Sequence, residues 1–227
     1  GAGRLEVMTY GSAGTTANVC VFDAAGDLAA SAQAQSRYAL VTSLDPGAYT
    51  VVAFAKNGSF STVGSLDGFA DLGVDASQYA QAGVTIREGE DARVELTVPK
   101  MSVVSTNLVQ SSSVAISKQQ TYKDLEFFAT VNFRMAEGRT ASTLKVKLPK
   151  GLTPTSVSSA RKSYGTDGYS ASTRTITVAL DAADAQTGRI YVGLKPTETG
   201  RHVVSASVVS DGTTVPVGDG ATTVSAL

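Results

Sequence analysis

The 227-residue chain has no tryptophan, one histidine, one cysteine and six prolines. A single cysteine, Cys20, excludes an internal disulfide and any cysteine-rich zinc site. It stands between Val19 and Val21, with no cation or helix start in sequence to activate the thiol, so a small buried hydrophobe is expected. With His202 as the one histidine, a serine triad would have a single candidate base, and no G-x-S-x-G elbow accompanies it. Lys and Arg number 19 against 20 Asp and Glu, a net charge of -1. That leaves no basic excess for phosphates, so no nucleic-acid partner is expected. No apolar run approaches the roughly 20 residues of a membrane helix, so no membrane insertion is expected either. The glycines of GSAGTTAN, residues 11–18, match neither a P-loop nor a dinucleotide fingerprint.

What the chain does have is Ala, Ser, Thr, Val and Gly arranged with a period of two. RLEVMTY puts Leu5 and Val7 on one face, and NVCVFD puts Val19 and Val21 together before an Asp23–Asp27 turn. RYALVTSL and AYTVVAF follow across the corner Asp45-Pro46-Gly47, and Asn57-Gly58 is a hairpin-type signal. VTIREGEDARVELTV reads as strand, turn, strand, with Val94 and Leu96 inward and Arg93 and Glu95 outward. AYTVVAF is apolar on both faces, with Tyr49, Val51 and Ala53 on one and Val52 and Phe54 on the other, so both must be covered. The stretch 61–83, too long for a hairpin loop and without steady alternation, is expected to carry a short helix within 66–81 and to pack over the outer face.

Pro99 cannot donate to a ladder and should end the strand, which places a boundary at 99–103. Beyond it, period two returns. Leu125, Phe127, Ala129, Val131 and Phe133 share a face, as do Leu144, Val146 and Leu148, Ile176, Val178 and Leu180, and Ile190, Val192 and Leu194. No long amphipathic helix alternates with these strands, which disfavours an α/β fold. The expectation is an all-β chain of two tandem antiparallel β-sandwich domains, 1–99 and 104–227, joined by a linker at 100–103.

The order VCVFDAAGDLAAS, YALVTSLDPGAYTVVAF, EGEDARVELTV resembles the prealbumin-like β-sandwich of bacterial surface proteins, which includes Cna B-type repeats and carboxypeptidase regulatory-like domains. LKVKLPKGLTPTSVS and STRTITVALDAADAQTGRIYVGLKPTETGRHVVSASV resemble the Ig-like modules of Gram-positive surface proteins. The first resemblance implies a possible Lys–Asn isopeptide bond beside a buried acid. Residues 4–98 depart from that pattern: the first strand offers Arg4 and Glu6 but no lysine, and the last has no asparagine. In the second domain Lys118, Lys123, Asn107 and Asn132, with Asp124 and Glu126 nearby, are the residues such a bond would draw on. Lys123 and Asn132 would form the pair, or these are surface-exposed polar residues.

Four residues of RKSYGTDGYS, Arg161, Lys162, Tyr164 and Tyr169, fall in one loop where tyrosines beside cations could serve recognition, or form an ordinary hairpin tip. Asp67, Asp71 and Asp75 recur every fourth residue. On one helix they would align for Ca²⁺, but Gly68 and Gly73 favour turn and cap aspartates instead. Asp211-Gly212 and Asp219-Gly220 are turn signals. His202 opens a strand, where a hydrogen-bonded structural histidine is expected.

The reading these features support is a non-catalytic extracellular module of a bacterial surface protein, without cofactor and monomeric. It would act as a stalk, or present the loops 61–83 and 161–170 to a host or cell-wall protein or glycan. The alternative is a carbohydrate-binding or accessory module of a secreted enzyme. The absence of tryptophan weighs against it, while tyrosines could still form a small platform. A hydrolase has no acid/base or nucleophile–base constellation to rest on.

Overall fold

The computed structural model describes residues 2–102, 107–218 and 222–227. The Asp219-Gly220 turn signal and Val103 of the expected linker lie outside the described residues. The chain divides into two compact units, Gly1–Ser105 and Thr106–Leu227. Each is a β-sandwich.

In the first unit the strands are β1 (Gly3–Tyr10), β2 (Asn18–Phe22), β3 (Leu28–Gln33), β4 (Tyr38–Leu44), β5 (Gly47–Phe54), β6 (Tyr79–Ile86) and β7 (Asp91–Thr97). They form a sheet β4-β1-β7 facing a sheet β3-β2-β5-β6. Alternation decides what lies between them: Leu5, Val7, Ala39, Val41, Val94 and Leu96 from one sheet meet Val19, Val21, Ala30, Val51, Ala53 and Ile86 from the other. The β2–β3 hairpin is held by Asp23, whose carboxylate accepts from the N–H groups of Ala25 and Asp27. Asp45-Pro46-Gly47 turns the chain from one sheet to the other, and the Tyr49 hydroxyl secures the corner by donating to the Asp45 carbonyl at 2.6 Å. Glu88-Gly89-Glu90 likewise links strands of different sheets, with Gly89 at φ 67°.

The insertion is partly helical, with α1 (Gly68–Asp71) and one turn of 3₁₀-helix at Ala76–Gln78. It ends earlier than 83, because Tyr79–Gly83 already pair with β5. Asn57-Gly58 does not close a hairpin. The Asn57 side-chain oxygen accepts from the N–H groups of Ser59 and Phe60 and leads the chain into the insertion. The insertion forms a second small core over β2 and β5. Cys20, Phe22, Val52 and Phe54 are fully buried, and Phe60, Val63, Phe69 and Val74 are buried in the segment that covers them. Phe69 stacks on Tyr79 at 4.6 Å and meets Phe22 and Phe54 edge-on at 6.2 and 5.4 Å. Burial pushes the Cys20 thiol up to about 12, so it is inert.

In the second unit the strands are β8 (Val109–Ile116), β9 (Gln120–Thr121), β10 (Phe127–Met135), β11 (Thr143–Lys147), β12 (Leu152–Ser158), β13 (Tyr169–Ser170), β14 (Thr175–Ala179), β15 (Thr187–Pro196), β16 (Gly200–Ser210), β17 (Thr213–Pro216) and β18 (Thr222–Ala226). A short helix α2 (Ala182–Ala185) precedes β15. One sheet runs β12-β15-β10-β8. The other runs β13-β14-β11-β16-β18-β9, with β17 on β16. Phe127, Val131, Phe133, Leu144, Val146, Ile176, Ile190, Val192 and Val204 fill the space between. Leu152 and Val157 are five residues apart, which a regular strand would put on opposite faces. A bulge between Pro154 and Ser156 brings both inward.

Two details differ from the sequence reading. Leu125 is 44% exposed rather than inward. Asp124, at φ 65°, and the turn bond from Leu125 N–H to the Tyr122 carbonyl interrupt the alternation before β10 begins. The sandwiches are also not wholly antiparallel: β1 runs parallel to β7, and β9 parallel to β18.

Candidate functional site

The loop 161–170 and α2 meet around one buried carboxylate. Asp181, extended in backbone, caps α2 by accepting from the Ala183 N–H at 3.1 Å. One turn later Asp184 is only 1% exposed. Its Oδ2 accepts from the Ser159 hydroxyl at 2.7 Å and from the Tyr164 hydroxyl at 2.6 Å, and its Oδ1 from Arg161 Nη1 at 3.4 Å. The same Arg161 nitrogen donates to the Ala183 carbonyl at 3.1 Å. Tyr164 Oη accepts from the Asp181 N–H, and Ser159 Oγ from the N–H groups of Arg161 and Lys162. Lys162 lies 3.8 Å from Asp181 and 5.3 Å from the centre of the Tyr164 ring.

Each ionisation state follows from these contacts. Burial alone would raise the Asp184 carboxyl, but the bonds from Tyr164, Ser159 and Arg161 outweigh it and hold the group below the ordinary carboxylate value. Burial, and then the bond to Asp184, push the Tyr164 phenol up to about 12. A carboxylate accepting from three side chains is fully committed. The arrangement therefore works as a clasp that ties the 159–164 loop to α2, with its tyrosine proton held rather than offered.

The structure thus brings Arg161, Lys162 and Tyr164 together, but turned toward Asp184 and Asp181. Tyr169 is placed apart from this cluster by its pairing with Ile176 in β13–β14. Both tyrosines pack against the core of the unit, so they do not form a flat exposed platform. Asp184 escaped the sequence reading. D-A-A-D after a strand is a helix-start signal, but nothing local says that its second carboxylate is buried.

Asp67, Asp71 and Asp75 are not aligned on one helix. Asp67 precedes α1, Asp71 ends it, and Asp75 lies beyond Gly73, at φ 74°, where it caps the 3₁₀ turn through Ser77. Among the described residues no group of three or more His, Cys, Asp or Glu is placed to hold a metal ion. His202 is 4% exposed, pairs with Val224 of β18 and hydrogen-bonds the Glu198 carbonyl at 2.9 Å. Asp211, at φ 48°, and Gly212 form the β16–β17 turn, where Asp211 pairs with Arg139.

The Lys–Asn pair is not assembled. Asn132 is in mid-β10, where it accepts from Arg189 Nε at 3.0 Å and lies beside Ser113. Lys123 is exposed, and its backbone N–H donates to the Leu227 carbonyl. Lys118, Asp124 and Glu126 are also exposed, as is Asn107 in the turn before β8, so none supplies the buried amine or acid that such a bond needs. The intact mass of the chain is therefore expected to equal its sequence mass. A species lighter by one ammonia would contradict this.

The fold is that of two β-sandwich modules in sequence. No family model matches the chain, and no curated protein matches it. Similar solved structures include a cohesin module from a Clostridium perfringens family 33 glycoside hydrolase. It is 12% identical over 53% of this chain and 98% of its own, with a TM-score of 0.40. The full-length major pilin SpaD of Corynebacterium diphtheriae is 14% identical over 98% of this chain, with a TM-score of 0.31, and the match spans 64% of the pilin. A non-cellulosomal cohesin from Archaeoglobus fulgidus is 15% identical over 52% of this chain and 91% of its own, with a TM-score of 0.36. At such scores the site has to be read from its own geometry.

Proposed function

We propose that this chain is a non-catalytic, load-bearing segment of an extracellular bacterial surface protein, built from a Cna B-like and an Ig-like sandwich. One observation carries the reading: in each unit the last strand is bonded in parallel to a strand near the unit's beginning. In the first unit β1 pairs with β7 from Arg4–Asp91 to Tyr10–Thr97, seven register pairs in an unbroken ladder. A pull on the unit's two ends draws β1 and β7 in opposite directions along their length. All the ladder's hydrogen bonds then load together in shear, whereas an antiparallel hairpin peels one bond at a time. In the second unit β18 is bonded in parallel to β9 through Ser225–Gln120 and Ala226–Thr121. The Ser225 and Leu227 N–H groups add bonds to the Gln119 and Thr121 carbonyls.

The loops support a spacer over a ligand-presenting module. The 61–78 segment covers Phe22 and Phe54, and 161–164 forms the Asp184 clasp. Deleting 61–83 would expose the core formed by Phe22 and Phe54 and remove part of β6. Stretched from its ends in a single-molecule instrument, the chain is expected to give two unfolding events. At about 3.5 Å per residue these release roughly 370 Å for Gly1–Ser105 and roughly 430 Å for Thr106–Leu227, less the folded lengths. Featureless low-force extension would reject the proposal.

A further inference from the structure

The sheet edges of the first unit are not alike. β7 carries Asp91, Arg93 and Glu95 along its length. β4 has Ser43 at φ 61° and an irregular register against β1. β3 has a bulge opposite Val21 and Phe22 and is covered at its start, where the Leu28 N–H donates to the Gly64 carbonyl. Charges, kinks and cover of this kind are the devices that keep sheet edges from pairing with other chains.

β6 has neither charge nor kink, and its cover is Tyr79 under Phe69 at one end and the turn into β7 at the other. Its eight residues, YAQAGVTI, pair with β5 in unbroken register from Tyr79–Phe54 to Ile86–Gly47, and they include no charge and no proline. Its other side ends the sheet, and among the described residues no strand pairs with it. The side chains that face the core there, Ala80, Ala82 and Val84, are only half buried although they pack on the core cluster.

We propose that β6 is a homotypic docking edge, through which two copies of this chain pair antiparallel about a twofold axis and join their four-stranded sheets into one of eight. The occupant follows from the strand's own chemistry. With no charge over residues 79–86, β6 has nothing to select a charged partner segment and nothing to repel its own copy. Directly opposed residues in an antiparallel pair share a face, and β6 satisfies this against itself. Centred on Ala82, the pairing sets Ala80 opposite Val84 over the half-covered core. On the outer face it sets Gln81 opposite Gly83 and Tyr79 opposite Thr85. A C2 seam of this kind is isologous and closed, so assembly stops at the dimer. Its side chains are small, so the interface falls in the small, weak class and calls for high concentration or tethering on a common surface.

Sedimentation velocity of the full chain, from about 5 µM to about 500 µM, is expected to show a reversible monomer–dimer equilibrium. Gly83→Lys tests the edge directly. A Cβ at Gly83 meets nothing within 4 Å and its backbone is not left-handed, so the variant should fold as the parent does. The lysine is expected to weaken self-association about two- to fivefold. An equimolar mixture of Gly83→Lys and Gly83→Glu chains should recover the dimer. A parent chain that stays monomeric throughout, or a Gly83→Lys variant that dimerises as well as the parent, overturns the proposal.

Discussion

Replacing Phe69 by alanine is expected to cost the first unit about 3–5 kcal/mol, the range for a buried phenylalanine truncated in a core. Phe69 is 1% exposed and touches three other rings, from β2, β5 and the start of β6. Its loss opens a cavity that the short helix α1, four residues long, cannot close by collapsing. A domain of this size is typically stable by about 5–15 kcal/mol, so the loss removes a large share. Denaturant unfolding should show the first unit's transition moving to lower concentration while the second unit's stays in place. Cys20 supplies an independent readout. Its thiol, raised to about 12 beneath the insertion, should become reactive to a thiol reagent at neutral pH as the cover loosens. If Phe69→Ala moves the transition by less than about 1 kcal/mol and leaves Cys20 silent, the insertion is a loop resting on the surface rather than a core element.

The second large effect belongs to the Asp184 clasp. Asp184→Ala leaves the half-buried Tyr164 and Ser159 hydroxyls without their acceptor, and each regains part of its hydration. At the lower end of about 1–3 kcal/mol for each stranded group, a total of about 2 kcal/mol is expected in the second unit. Arg161 is largely exposed and recovers water, so it adds little. The pH dependence has two limbs. The folded-state value of Asp184 lies below its ordinary value, so its contribution is complete above about pH 4 and is lost as pH falls through the folded value. Tyr164 is raised from 10.0 to about 12, so its contribution is complete below about pH 10 and is lost as pH rises toward 12. Asp184→Asn should remove the acid limb that this group supplies, and Tyr164→Phe the alkaline one. Urea midpoints of the second unit's transition, taken across pH 3–12, would read both. An unchanged acid limb in Asp184→Asn would assign it to other carboxylates.

The sandwich was legible because period two is a local property. Leu5 and Val7, or Ile190 and Val192, announce their faces without reference to any distant residue. The double-sided burial of Val51 to Phe54 is legible for the same reason, and it implies a covering segment. The parallel pairings were not legible: that β1 lies beside β7 depends on how the chain closes some eighty residues later, and neither strand's pattern records it. Leu125 continued the alternation of β10 by composition alone, while the left-handed Asp124 that ends the pattern leaves no mark in the residue type. In the 161–170 loop the nearness of Arg161, Lys162 and Tyr164 is legible in the sequence and their direction is not. Arg161, Lys162 and Tyr164 read as an outward-facing recognition set because Asp184, which turns them inward, lies some twenty residues further along the chain.

A comparison of pulling directions on the first unit tests the mechanical reading most directly. Held by the chain's two ends, the β1–β7 ladder is loaded in shear. Held by the N-terminus and a handle at Glu88→Cys, close to the end where Arg4 pairs with Asp91, the same ladder is loaded by peeling. The load-bearing account predicts a much higher unfolding force end to end than in the second geometry. Equal low forces in both directions would contradict it.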